Sequence, residues 1–346
     1  MDPRRRNFLK AGACFAFFQG GSGLFSAHSI NPNASSQPII DAHIHLFDPT
    51  RPAGVPWPDK ADTIYRPALP DRYRSLAAPF GVIGAVAVEC SPWVADNDWL
   101  LRTAAADTII VGIIGNLDPA TPDFAQRLEG LQQNPLFRGI RYGNLWGRNL
   151  GAQLSNPDFV TNLKRLAAAG LLLESANPNP VLIADLLRLT GRIPELRIVI
   201  DHLPQALPPE EPSARKAYLQ DLRALGQRDH VFVKASEVLR RVHGSVPADM
   251  DFYQPWLDQI WRIFGEDRLL YGSDWPNSDH LEDYAGTLGI IRQYVASKGP
   301  IASEKFFWRN SIAVYRWRHR NQAQARLTRA EESSLDKNRP CADTYR

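Results

Sequence analysis

Cysteine is scarce in this sequence, and its three cysteines follow no spacing pattern. Cys14, Cys90 and Cys341 are separated by long stretches of a chain of 346 residues. A disulfide framework needs regularly spaced cysteines, and a cysteine-based zinc site needs ligands a few residues apart. The sequence therefore gives no indication of either kind of site.

An excess of charge is also absent from the body of the chain. The formal net charge of +3 arises within residues 1–36, which hold four basic residues and one acidic residue. The rest of the chain carries 36 basic and 36 acidic residues. A body without net charge gives no indication of a nucleic-acid or membrane-surface partner.

The N-terminus lacks an apolar run long enough to span a bilayer, but it has the pattern of an export signal. Residues 5–10 read R-R-N-F-L-K, which matches the twin-arginine pattern. The weakly apolar stretch at 11–25 is too short and too interrupted to be a stable membrane anchor. Residues 1–36 are therefore predicted to be a twin-arginine signal segment that takes the chain through the export machinery to the periplasm. A disordered basic tail is the alternative.

Short apolar runs recur from residue 39 onward and alternate with amphipathic stretches. Runs that are apolar on both faces are typical of parallel strands covered by helices. The predicted strands are Ile39–His45, Gly84–Cys90, Ile109–Leu117, Phe137–Gly143, Leu171–Ser175, Arg197–Leu203, Val231–Ser236 and Leu269–Asp274. Eight such strand–helix units predict a (β/α)₈ TIM barrel within residues 37–320. An open doubly wound sheet is disfavoured, because no glycine-rich phosphate motif follows the first strand.

Two segments depart from this alternation. The proline-rich segment Asp48–Phe80 predicts a long loop after the first strand, on the catalytic face of the barrel. It would form either a lid over the site or a rigid surface wrap. Residues 321–346 are polar and charged, and they predict an extension outside the core.

The pair His43 and His45 is the clearest chemical signal. Residues two apart in a strand point to the same side, roughly 6.5–7 Å apart. Both imidazoles would therefore face the barrel interior near the catalytic end of the first strand. Such a pair can bind one divalent cation, or it can be a hydrogen-bonded pair in the core.

Two further signals lie at the ends of predicted strands six and eight. His202 follows a buried apolar run and would be a ligand or a group that polarises a carbonyl, whereas Asp201 is expected to point away. Asp274 could bind a metal and take a proton from attacking water, or it could cap the next helix. Barrel enzymes place their chemistry at these strand ends.

Five other residues are predicted to contact a substrate. Arg141 could bind a substrate carboxylate, and Trp57 and Trp275 could stack on a ring. Glu89 and Lys234 lie where strand residues reach the barrel mouth. The alternatives are a structural ion pair for Arg141, buried pairs between strands for Glu89 and Lys234, and plain packing for the tryptophans.

These motifs resemble the amidohydrolase-related family of the amidohydrolase superfamily. The resemblance covers about residues 39–317 and includes H-x-H at 43–45, D-H at 201–202 and G-S-D-W-P at 272–276. The most similar branch contains sugar-acid lactonases and the 2-pyrone-4,6-dicarboxylate lactonase. The resemblance implies a centre of four residues with Asp274 as the general base: His43, His45, His202 and Asp274.

The implied reaction is opening of a small cyclic ester by an activated water. The substrate would be an anionic small molecule, the lactone of a sugar acid or of an aromatic breakdown product. Metal-dependent decarboxylation of an aromatic acid is the alternative. Residues 171–176 lack the metal-binding histidine or lysine of many superfamily members, which disfavours a binuclear site. One divalent ion held by His43, His45 and Asp274, with Zn²⁺ as first choice, and a metal-free mechanism both remain open.

Overall fold

The structure, a computed structural model, describes residues 37–337, with side chains to residue 331. Eight parallel strands form one sheet in sequence order. They are β1 Ile39–Ile44, β2 Val82–Val88, β3 Ile110–Gly115, β4 Phe137–Arg141, β5 Leu172–Ser175, β6 Arg197–Ile200, β7 Val231–Ala235 and β8 Leu269–Tyr271. The sheet closes where the backbone N–H groups of His45 and Asp274 donate to the carbonyls of Trp275 and His43, each at 2.8 Å.

This architecture confirms the predicted TIM barrel. The predicted strands are all present, but β6 and β8 end three residues earlier than expected. The reason is local backbone conformation, because His202 and Asp274 have φ values of 51° and 60°. A left-handed residue cannot continue an extended strand. Both side chains are therefore turned at the strand ends, where the candidate site lies.

Helices surround the barrel. They are α1 Pro70–Ala77, α2 Asp96–Ala105, α3 Phe124–Gln132, α4 Leu150–Gln153, α5 Pro157–Ala168, α6 Pro180–Arg192, α7 Pro212–Gly226, α8 Met250–Phe264, α9 Tyr284–Ala296, α10 Pro300–Glu304, α11 Asn310–Tyr315 and α12 Gln322–Lys337. Two of them begin with the same Asn-Pro signal. Asn156 and Asn179 each accept hydrogen bonds from the first turn, and proline occupies the first helical position. Both features are typical of helix starts.

The segment after β1 is only partly a loop. It contains α1, whose Tyr73 is fully buried, and its remaining part lies beside the catalytic end of the barrel. Arg51 Nη2 donates to Asp96 Oδ2 at 2.8 Å and fixes the loop to α2. Trp57 meets the His45 ring at 5.6 Å between centroids. The loop thus covers one side of the candidate site.

The C-terminal extension departs from the prediction, because its first part belongs to the core. Gln324 is fully buried, and its Nε2 donates to the carbonyls of Ile83 and Thr108 at 2.8 Å. Leu327 packs into the apolar cluster inside the barrel. The starts of the strands leave backbone carbonyls without partners, and a polar helix can satisfy them. The polar composition of this segment predicted a position outside the core, but the segment covers the end of the barrel where the strands begin.

Removal of residues 318–346 is expected to lower the free energy of unfolding by about 2–4 kcal/mol. The truncation removes Arg320, whose Nη1 donates to three backbone carbonyls at 2.7 Å, together with Gln324. Thermal unfolding followed by circular dichroism measures the effect. A chain that stops after residue 337 keeps these contacts and is the control. Equal melting temperatures for the two truncations would contradict this role.

No helix within residues 37–337 is long and apolar enough to cross a membrane. The predicted signal segment, residues 1–36, lies outside the described residues. Export by the twin-arginine pathway and a periplasmic location therefore stay predictions.

Candidate active site

Two histidines at the end of β1 form one side of the candidate site. His43 and His45 are 0% and 5% exposed, and their ring centroids lie 4.9 Å apart. His45 Nδ1 lies 3.0 Å from the Val88 carbonyl, which can only accept, so the proton belongs on Nδ1. The Nε2 of His45 is therefore an unprotonated nitrogen. It lies 3.2 Å from Asp274 Oδ1.

Asp274 occupies the centre of the site. Its Oδ2 accepts a hydrogen bond from Asn277 Nδ2 at 2.7 Å, whereas its buried Oδ1 has no hydrogen-bond partner. The Nε2 atoms of His43, His45 and His202 lie 3.5, 3.2 and 3.9 Å from that oxygen. One unsatisfied carboxylate oxygen thus faces three imidazoles.

Asp41 fixes the ends of β1 and β8 against each other. Its Oδ1 accepts from the backbone N–H of Ser273 at 2.9 Å and of His43 at 3.1 Å, and its Oδ2 accepts from Tyr73 at 2.7 Å. Gly272 allows this close approach, because a Cβ there would lie 2.8 Å from the Cβ of His43. Asp274 is thereby held within reach of the histidines.

His202 follows β6 and enters the site from the opposite side. Its Nδ1 lies 2.8 Å from Ser236 Oγ, and its Nε2 lies 3.8 Å from Glu237 Oε1. Since the serine hydroxyl can donate to Nδ1, the imidazole can carry its proton on Nε2. In that tautomer His202 is a hydrogen-bond donor at the site.

A buried ionic network lies beneath the histidines. Lys234 Nζ contacts Glu174 Oε2 at 2.7 Å, His43 Nδ1 at 3.0 Å and Asp201 Oδ1 at 3.1 Å. Asp201 is therefore directed into the barrel, contrary to the expectation that it points away. The alternation of a strand does not apply there, because β6 ends at Ile200 and Asp201 lies in the turn that follows.

An open cavity of about 530 Å³, counting the space at its mouth, lies over Asp274. Its aromatic walls are Trp57 and Trp146. Its polar lining comprises His45, Arg141, Asn177, His202, Glu237, Asp274 and Asn277. A small molecule in this cavity would contact His45, His202 and Asp274 together.

The comparison with protein families decides the classification. The family described as amidohydrolase matches residues 40–317. The chain belongs to the amidohydrolase family. The predicted family is thereby confirmed, and the match covers the barrel from β1 to the end of α11.

Individual relatives of this amidohydrolase agree with the classification. The L-fucono-1,5-lactonase of Burkholderia ambifaria is 29% identical over 286 residues, which cover 80% of this chain and 95% of the relative. The crystal structure of an amidohydrolase from Burkholderia multivorans with bound zinc has a TM-score of 0.71 at 22% identity and covers 81% of this chain and 100% of that chain. A probable 2-pyrone-4,6-dicarboxylic acid hydrolase from Acinetobacter baumannii with citric acid bound has a TM-score of 0.63 at 21% identity and covers 80% and 98%. The two structures share the fold of this amidohydrolase.

Burial sets the charge of the site. Burial, followed by the positive charge of Lys234, lowers the pKa of His43 well below its usual value. Burial likewise lowers the pKa of His202, and it lowers the pKa of His45 to about 4. Burial raises the pKa of Asp274 to about 6. At neutral pH the imidazoles are therefore neutral, which suits metal ligands and hydrogen-bond donors.

The residues present fit a single divalent cation. The ligand atoms of His43, His45 and Asp274 lie within 4.8 Å of one another. The unprotonated Nε2 of His45 and the unsatisfied Oδ1 of Asp274 are both hydrogen-bond acceptors, so they cannot form a hydrogen bond with each other. A cation between them could bind both atoms. Two imidazoles and one carboxylate form a ligand set that zinc commonly takes.

The tautomer of His43 determines whether it joins that ligand set. Asp201 Oδ1 lies 3.6 Å from His43 Nδ1 and could accept its proton, which would leave Nε2 unprotonated as a ligand. If Lys234 donates to Nδ1 instead, the proton lies on Nε2 and faces Asp274. The metal-bound and the metal-free arrangement each correspond to one tautomer of the same ring.

Of the five residues predicted to contact a substrate, two line the cavity and three do not. Trp57 and Arg141 line the cavity, and Arg141 Nε also donates to Glu89 Oε1 at 2.9 Å. Lys234 is fully buried in the network and does not line the cavity, so it cannot contact a substrate directly. Trp275 is also fully buried, and it packs against Tyr73 instead of lining the cavity. Glu89 likewise belongs to a buried ion pair between β2 and β4.

Sequence reasoning missed Asp41, Glu237 and Asn277 and misplaced Asp201. Asp41 and Asp201 stood beside recognised histidines, but their contacts depend on neighbouring strands. Glu237 lies two residues beyond β7, so the rule that polar residues at strand ends line the mouth would have identified it. Asn277 offered no comparable signal.

Proposed function

We propose that this amidohydrolase opens a small lactone by hydrolysis, with Asp274 as the base that activates water. The observation that supports the proposal is the unsatisfied Oδ1 of Asp274 facing three imidazole nitrogens beneath an open cavity. A buried carboxylate with a raised pKa is a suitable proton acceptor near neutral pH. The relative from Burkholderia ambifaria, named as a lactonase, supports the choice of an ester ring as substrate.

In the proposed reaction Asp274 takes one proton from water and later gives it to the leaving oxygen. Water attacks the ester carbonyl carbon while Asp274 Oδ1 accepts a proton from it. His202 Nε2–H donates to the carbonyl oxygen and stabilises the negative charge that develops there. The bond between the carbonyl carbon and the ring oxygen then breaks, and Asp274 returns its proton to the leaving oxygen. The product is a hydroxy acid.

We further propose that the site holds one divalent cation, with zinc as first choice, between His43, His45 and Asp274. When bound, the cation supplies Lewis-acid polarisation of the ester carbonyl. Decarboxylation of an aromatic acid, the alternative expected from the sequence, would use a similar histidine–aspartate set. The named relatives reported above are a lactonase and a hydrolase, which favours lactone hydrolysis.

Metal content and lactone hydrolysis should be measured on the same preparation. We expect about one zinc per chain, and removal by a chelator should lower kcat/KM for a lactone substrate by roughly 10²-fold or more. Readdition of zinc should restore activity. A His45→Gln variant, which loses one ligand nitrogen, should bind zinc weakly while keeping the wild-type circular dichroism spectrum.

The other outcomes of that measurement separate the proposals. Full lactonase activity without metal would refute the cation and keep Asp274 as the activator of water. Release of carbon dioxide from an aromatic acid, with no lactone opened by the enzyme with or without metal, would refute the lactonase and favour the decarboxylase.

A further inference from the structure

Glu237 lies on the cavity wall at a position where a side chain is conformationally costly. Its φ is 47°, and five of the seven non-glycine residues with left-handed φ in the described part of the chain line this cavity. Such a residue costs on the order of 1–3 kcal/mol where glycine would cost little. Strain of this kind clusters at functional sites.

The carboxyl group of Glu237 is held in place but keeps a free side toward the cavity. Oε1 accepts from Asn277 Nδ2 at 3.1 Å, and the backbone carbonyl accepts from Gln205 Nε2 at 3.0 Å. The side chain is 24% exposed, whereas Asp274 is 1% exposed. Glu237 can therefore contact a substrate substituent next to the reacting ester group.

The positive charge of the cavity is already balanced by buried carboxylates. Among the described residues that line it, Arg141 is the one lysine or arginine. Its Nε donates to Glu89 at 2.9 Å, and its Nη1 lies 3.8 Å from Asp201 Oδ2. Asp274 adds an ionisable carboxyl group to the same wall. A substrate carboxylate placed beside Asp274 would meet like charge.

We propose that Glu237 is a specificity-determining residue that binds a ring hydroxyl of an uncharged polyhydroxylated lactone and disfavours lactones that carry carboxylates. This inference depends on the proposed lactonase activity and replaces the earlier expectation of an anionic substrate. A carboxyl oxygen accepts a hydroxyl hydrogen bond in either protonation state. Trp57 and Trp146 line the cavity, and their apolar rings suit a saturated ring with apolar C–H groups.

The test compares Glu237→Gln with the wild type on three lactones. The probes are the best substrate from a panel of aldonolactones, the doubly charged 2-pyrone-4,6-dicarboxylate, and unsubstituted δ-valerolactone. The wild type should prefer the aldonolactone to the dicarboxylate by about 100-fold or more in kcat/KM. The variant should raise KM for the aldonolactone about 10-fold, because the amide nitrogen that replaces one carboxyl oxygen cannot accept a hydrogen bond from a ring hydroxyl. Its KM for δ-valerolactone should change much less than its KM for the aldonolactone, since that ring has no hydroxyl to bind.

Two further variants separate recognition from a structural role. Glu129→Gln makes the same chemical change on the exposed face of α3 and should leave all three substrates unaffected. Glu237→Gly should lose the preference for hydroxylated lactones while its melting temperature equals or exceeds that of the wild type. A fall in melting temperature would identify a structural role and overturn the proposal.

The test separates a failure of the proposed lactonase activity from a failure of the proposed role of Glu237. Absence of turnover on every lactone would overturn the lactonase and this inference together. Turnover with a preference for the dicarboxylate, or an equal effect of Glu237→Gln on δ-valerolactone, would overturn the inference and leave the lactonase intact.

Discussion

Replacement of Asp274 by asparagine is expected to lower kcat/KM for lactone hydrolysis by about 10³-fold, because the site loses its only proposed proton acceptor. The fold should be unaffected. An asparagine can still accept from Asn277 through its side-chain oxygen, and asparagine tolerates the left-handed φ of 60° at this position better than most residues. Initial rates on the best lactone, with circular dichroism and thermal unfolding, measure both expectations.

The pH profile gives this prediction a second readout. Since burial raises the pKa of Asp274 to about 6, the carboxyl gains a proton as the pH falls through that value. A protonated Asp274 cannot accept a proton from water, so kcat/KM should decline on the acid side, near pH 6 without a cation and at a lower pH where a bound cation holds the carboxylate ionised. The residual activity of the asparagine variant should lack this decline. Asp98→Asn, on the exposed face of α2, is the matched control. Retained turnover in Asp274→Asn would refute its role as the base.

The barrel was predictable from sequence because its strands are buried on both faces. Continuous apolar runs such as that of β3 carry a strong signal, and the interval of two between His43 and His45 follows from strand geometry alone. The strand ends were less predictable. His202 and Asp274 leave the extended conformation through left-handed backbone angles that no periodic pattern reveals.

Contacts between distant segments account for the other differences. Lys234 was assigned to the substrate because its partner Glu174 lies on β5, sixty residues earlier in the sequence. Trp275 adjoins Asp274 in sequence, but a turn in the chain directs the two side chains to different surroundings. Gln324 looked like part of a solvent-exposed tail because its carbonyl partners are visible only once the barrel is closed. The composition of a segment describes that segment alone, whereas the roles of Lys234, Trp275 and Gln324 depend on contacts with residues elsewhere in the chain.

Replacement of Lys234 by methionine is expected to lower the free energy of unfolding by about 3–5 kcal/mol, the usual cost of breaking a buried ion pair from one side. Lys234 Nζ lies between Glu174, Asp201 and His43 inside the barrel, and all four side chains are fully buried. Methionine has a similar length but leaves Glu174 without its cation and Asp201 with Arg141 alone. Lys216→Met, at an exposed position of α7, should change stability by about 0.5 kcal/mol or less.

The loss in Lys234→Met should depend on pH and on Glu174. Burial already raises the pKa of Glu174 to about 7 with the lysine present, and removal of the lysine should raise it further. A carboxyl with a raised pKa in the folded state destabilises the fold when it is ionised, so the deficit should be largest near pH 8 and shrink toward pH 6. Glu174→Gln added to Lys234→Met removes one uncompensated charge and should recover part of the loss. A deficit that is independent of pH, or a double variant less stable than Lys234→Met, would show that the lysine stabilises the barrel through packing and not through charge.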